Sequence, residues 1–108
     1  MLRWLLLLAS AAYCLSALAQ SVEVPPELWD RPRTAQAVLG QDSVKRAVLL
    51  GLEKPEAQIA IHHGAGQEPL LQAEELRSWL AALGVDSRRI ALRSDGVAGA
   101  PMRIEIIP

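Results

Sequence analysis

The stretch "QIAIHHGAGQEPLLQAEELRSWLAALGVDSRRIALRSDG", Gln58 to Gly96, decides the fold. Gln58 to His63 alternates, with Ile59 and Ile61 on one side and Gln58, Ala60 and His62 on the other, as side chains do along a strand. A glycine-bearing loop, Gly64 to Glu68, interrupts the run. Pro69 then suits the first turn of a helix, where a missing N–H deprives no carbonyl of its partner. From Leu70 to Leu83 the period changes. Ala73, Leu76, Trp79, Leu80 and Leu83 recur at helical spacing, and Glu74, Glu75, Arg77 and Ser78 lie off that stripe. Gly84 is the expected left-handed stop. Arg89 to Arg93 alternates again, setting Ile90 and Leu92 against Arg89, Ala91 and Arg93.

The same grammar extends in both directions. Ser43 to Lys54 is a second helical stretch, its stripe made of Val44, Ala47, Val48, Gly51 and Leu52, with Asp42 or Ser43 placed to cap it and Pro55 to end it. Gly51 costs that helix on the order of 1 kcal/mol against alanine, so a close approach by a neighbouring element is expected there. After the turn-rich "SDGVAGAP", the last run puts Met102, Ile104 and Ile106 on one face and Arg103 and Glu105 on the other. Thr34 to Leu39 reads as a short first strand. Every strand offers one aliphatic face and one polar face, which is the mark of a sheet covered on one side. The expected class is therefore α+β: a two-layer sandwich, with two amphipathic helices on one face of a small mixed β-sheet.

Three segments divide the chain. Residues 1–19 carry Arg3, an apolar run and the small-x-small Ala17-Leu18-Ala19, the features of a secretory signal peptide cleaved after Ala19. The apolar run is short for a spanning helix, which needs roughly 20 residues. A periplasmic location is expected, with no transmembrane segment in the mature chain. Residues 20–33, rich in proline, read as an extended leader, and residues 34–108 as the folded domain. Cys14, the one cysteine, leaves with the signal, so neither a disulfide nor a thiolate ligand is expected. A net charge of −1 argues against nucleic-acid binding.

The ordered cues "LEKPEAQIAIHHG", "AEELRSWLAALGVDSRRIALRSDG" and "RIEII" resemble the OmpA-like domain of bacterial envelope proteins. That family runs helix, P-x-A-x-I-x-I, a glycine-bearing loop, a long helix, then a glycine and R-I into a strand, finishing on R-x-E-I. The matching residues are Pro55, Ala57, Ile59 and Ile61; Trp79, Leu80, Gly84 and Val85; Arg89 and Ile90; and Arg103, Glu105 and Ile106. The resemblance implies an envelope protein. It also implies a ligand site in which a loop aspartate and an early-helix arginine hold the zwitterionic end of a peptidoglycan stem. Here Gln72 stands where the family has its arginine, and the loop from His62 to Gly66 carries no acid. Glu68 is the nearest carboxylate. The residues left to form a ligand site are His63, Glu68 and Gln72.

Other constellations have two readings each. His62 and His63 are adjacent and point to opposite faces of a strand, so turn or surface histidines compete with metal ligands; no metal and no cofactor is expected. The polar sheet face gathers His62, Arg89, Arg93 and Arg103, with Glu105 the one opposing acid, either a docking surface for an anionic partner or a solvated face with cross-strand ion pairs. Trp29 is either a docking residue or part of the core. No nucleophile elbow or poised carboxylate pair is present, so no enzyme is expected. The residues point to an exported, non-catalytic envelope module that contacts another envelope protein. The alternative is a peptidoglycan-binding module with a rearranged site.

Overall fold

Gln58–His62 forms a strand (β2), and Ile59 and Ile61 are both sealed in the core on its helix side. A computed structural model describes residues 19–108. The signal segment expected over residues 1–19 lies outside them, apart from Ala19. Around β2 are β1 (Gln20–Glu23), β3 (Ile90–Arg93) and β4 (Arg103–Ile107), in the sheet order β1-β4-β2-β3. β2 runs parallel to β3, with Ile59 beside Ile90, and antiparallel to β4, with Ile61 beside Ile104. The sheet is thus mixed, and its aliphatic rows lie in register. Helices α1 (Ala35–Leu39), α2 (Asp42–Glu53) and α3 (Gln67–Ala82) complete the fold. One apolar core joins Val44, Ala47 and Val48 of α2, Ala73, Leu76 and Leu80 of α3, and the inward isoleucines. The α+β sandwich read from the sequence is the architecture found.

Local chemistry sets the joints. Gly51 of α2 faces Ile59 and Val85, and a Cβ on it would sit 3.2 Å from the Ile59 Cδ1 atom, so the glycine permits the close approach expected of it. α3 ends in a Schellman motif. Gly84 takes φ +112°, its N–H donates to Ala81 O, and the Val85 N–H donates to Leu80 O, with Val85 buried against that turn. α3 also begins at Gln67, three positions before the expected Leu70, because Pro69 still falls within the turn whose N–H groups have no helical partner.

Four expectations need correction. Thr34 to Leu39 is not a strand: Thr34 accepts from the Ala37 N–H and caps α1, in which two alanines favour helix. The first strand lies instead in the proline-rich leader, where Gln20–Glu23 pairs with β4 and Val24 and Leu28 enter the core. Residues 20–33 therefore belong to the folded unit. Neither Asp42 nor Ser43 caps α2; Gln41 holds the cap position without a side-chain bond, and Ser43 Oγ is buried without a partner. Leu52 is half-exposed rather than on the buried stripe, and it rests over Gly84.

The far face of the sheet departs from simple alternation at its centre. Ala60 and His62 point away from the helices yet are buried. A one-carbon side chain in an inner strand lies below the tops of its neighbours, and His62 is enclosed by acids.

Candidate functional site

Trp29 packs against the core from the leader, as the core reading of it required, and one face of it helps to shape a cleft at the end of the sheet. The other walls are the Gly64–Ala65 loop, Pro69 and Gln72 at the start of α3, and the Gly96–Met102 segment. The cleft encloses about 450 Å3. No charged side chain lines it, and Gln72 contributes its one side-chain amide. Two backbone bonds hold its loops to the sheet end: His63 N–H to Arg93 O at 2.9 Å and Gly96 N–H to His63 O at 2.9 Å.

Trp29 and Gln72 also border a second, more open hollow, of about 450 Å3, on the outer flank of α3. Its lining is charged: Arg33, Glu68 and Glu75. Arg33 donates from Nε and Nη2 to the two Glu75 carboxylate oxygens at 2.6 and 3.0 Å, and from Nη1 to the Trp29 and Arg31 carbonyls. Its guanidinium also lies 5.6 Å from the centre of the Trp29 ring, within the range of a cation–π contact. The Arg33 hydrogen bonds, helped by a further one from Trp79 Nε1, hold the Glu75 carboxyl below the ordinary glutamate range. The leader is thereby fastened across α3.

The three residues read as a ligand set are not brought together. Gln72 lines both hollows, and Glu68 lines the outer one. His63 is buried, lines neither, and donates from Nδ1 to the Gly64 carbonyl at 2.9 Å. Arg33, in the leader, is the residue that sequence reasoning missed. Its partner Glu75 is 42 positions away, and no spacing rule links them.

The three arginines read as one surface are also divided. Arg93 and Arg103 flank His62 in register on the far face of the sheet. Arg89 is not on that face. It precedes β3 in a short 3-10 turn (Ser87–Arg89) and donates to Ala57 O at 2.9 Å, Gly51 O at 3.0 Å and Lys54 O at 2.7 Å. These carbonyls lie at and just beyond the C-terminal end of α2, where a cation is favoured. Arg103 donates to Ser21 Oγ at 3.1 Å, and Glu105 takes neither arginine as its partner.

Glu105 is bonded instead to His62. The imidazole Nε2 lies 3.0 Å from Glu105 Oε1, and Nδ1 lies 2.6 Å from Asp95 Oδ1. The hydrogen bond from His62 is the main cause holding the Asp95 carboxyl below its ordinary range. The ring nitrogens point apart, so the two carboxylates diverge from each other. Among the described residues no group of three or more His, Cys, Asp or Glu side chains is placed to hold a metal ion. No helix among them is long and apolar enough to cross a membrane.

Comparison of the chain with family models, with curated proteins and with solved structures gave no match.

Proposed function

We propose that this chain is a small, exported, non-catalytic binding module of the cell envelope, built on an OmpA-like scaffold, which takes a partner protein in the cleft at Gln72. The resemblance is supported by where its motif residues lie. Pro55 follows α2, Ile59 and Ile61 are core residues of β2, Gly84 stops α3, and Arg103, Glu105 and Ile106 stand in β4. The observation that carries the reading is the lining of the cleft, which has apolar walls, one amide and no charge. A zwitterionic stem peptide would find no counter-charge there, whereas an uncharged segment of a protein would lose little solvation on entering.

The peptidoglycan reading draws on a different observation. Glu68, Gln72 and Arg33 border one hollow, so opposite charges stand near the family's ligand position. Arg33, however, is already paired with Glu75. Two measurements separate the readings. The purified protein should not co-sediment with purified peptidoglycan; retention that disappears in Gln72→Ala would favour the alternative. A photo-crosslinking residue at Ala98, in the cleft wall, should capture one defined protein in cells, and the same residue at Lys45 on the exposed side of α2 should not. Equal capture from both positions would remove the cleft from the proposal.

A further inference from the structure

The His62 bridge reaches the cleft through one short loop. Asp95 opens the segment of which Gly96 to Met102 form one wall of the cleft, and Asp95 is held to the sheet by His62 Nδ1. Gly96 is seated hard against the strand end. Its N–H donates to His63 O, and a Cβ on it would come within 2.8 Å of the His63 carbonyl carbon and oxygen. The wall of the cleft therefore rests on two adjacent histidines, one through its side chain and one through its backbone.

With both acids ionised, the geometry of the bridge sets its proton count. Ionised carboxylates only accept hydrogen bonds, and a neutral imidazole has a single N–H. With both ring nitrogens on carboxylate oxygens, both bonds exist together only when the ring is an imidazolium. A neutral ring would turn a lone pair toward one of the two acids at hydrogen-bond distance, which is repulsive. We propose that His62 is a proton-operated latch on the cleft: as imidazolium it holds Asp95 and Glu105 at once, and on losing a proton it releases Asp95 and loosens the cleft wall.

Burial decides which acid is released. The Asp95 side chain is 59 % exposed and can turn to water, while that of Glu105 is 26 % exposed and would be left underpaired. The neutral ring therefore keeps its proton on Nε2, facing Glu105. Charges from every neighbouring strand bear on the latch. Arg93 of β3 and Arg103 of β4 lie in register on either side of His62 and oppose its charge. Asp95 and Glu105 favour it, and Glu23 of β1, beside Arg103, offsets part of that arginine.

That the latch governs binding rests on the cleft's being the binding site, but its mechanics are testable without a ligand. The full chain is titrated by NMR, following the His62 ring nitrogens and the amide exchange of Gly96 to Ala100, the latter corrected for intrinsic base catalysis. The expected result is a roughly fivefold loss of protection at Gly96, the size of one charge-assisted hydrogen bond discounted for the exposure of Asp95. It should share its midpoint with His62 deprotonation, and the ring should end as the Nε2–H tautomer. In Asp95→Asn, an exposed change that spares the core, protection should lose this pH dependence while His62 still titrates; His62→Gln should likewise give a flat profile. Titration of His62 with no change at Gly96, or an equal response in Asp95→Asn, would overturn the latch. A latch that responds while the Ala98 crosslink captures nothing would sink the cleft as a binding site and leave the latch standing.

Discussion

Arg89 Nη2 lies 2.7 Å from the carbonyl oxygen of Lys54, the residue that closes α2. Pro55 prevents the helix from continuing, so its last carbonyls need partners from elsewhere, and one guanidinium supplies donors to three of the carbonyls in this region. Arg89→Ala should lower stability by about 2–3 kcal/mol, the scale of charge-assisted bonds to partly buried acceptors. Arg89→Lys should recover only part of that, because an ammonium cannot span three carbonyls as a planar fork does. Urea unfolding curves measure both. A loss below about 0.5 kcal/mol for the alanine variant would mean that water serves this helix end equally well.

Gly96 meets backbone rather than a yielding side chain. Gly96→Ala should cost about 1–3 kcal/mol, since the Cβ at 2.8 Å forces the loop away from His63. Gly99→Ala is the control. Its φ of +79° strains an alanine, but nothing lies within 4 Å, so only a backbone penalty of about 1–2 kcal/mol applies. The Gly96 amide should lose its exchange protection in the first variant and keep it in the second.

Acid should act in part through Asp86. It accepts from the Arg88 N–H and side chain, and these bonds lower its carboxyl to about 2. A depressed carboxylate contributes stability that is present above the ordinary range, about 3.9 for aspartate, and is lost as pH falls through the folded value. The urea midpoint should therefore drop between about pH 4 and pH 2, and less steeply in Asp86→Asn. The slope should also weaken at high salt, because Arg88 is exposed.

Arg33→Ala should loosen the leader around Trp29 while β1, Val24 and Leu28 stay in the folded core. Trp29 loses its stacked guanidinium and the bond to its carbonyl, so tryptophan emission should move to the red and acrylamide quenching should rise. Glu75→Gln should act in the same direction and more weakly, because a neutral amide keeps one acceptor oxygen for Arg33. Unchanged emission in both variants would mean that Trp29 is held by the core alone.

Ile59, Ile90 and Ile104 could be placed from the chain alone because period-2 and period-3.6 patterns are local, and Gly51 and Gly84 could be interpreted because a helix interior and a helix end each constrain a glycine. α1 was misread. Its five residues carry too little pattern to outweigh the neighbouring strand cues, although Thr34 ahead of two alanines was a usable capping signal. β1 is masked by the prolines that follow it, and its partner β4 lies more than 75 positions further on. The bridge at His62 and the Arg33–Glu75 pair span 33, 43 and 42 positions. Contacts of that kind depend on strand order and register, which no local period encodes.

β4 lies between β1 and β2, although it follows both in sequence. While residues 103–107 are still missing from a growing polypeptide, β1 has no neighbour to pair with, and the pairing of β2 and β3 lacks its inner flank. Closing the sheet joins Gln20 to Ile106, far apart in sequence, an entropic cost met in one step once β4 is made. Assembly is thus deferred until β4 is delivered, and a nascent chain stopped short of Arg103 should remain as extended and protease-sensitive as the denatured protein.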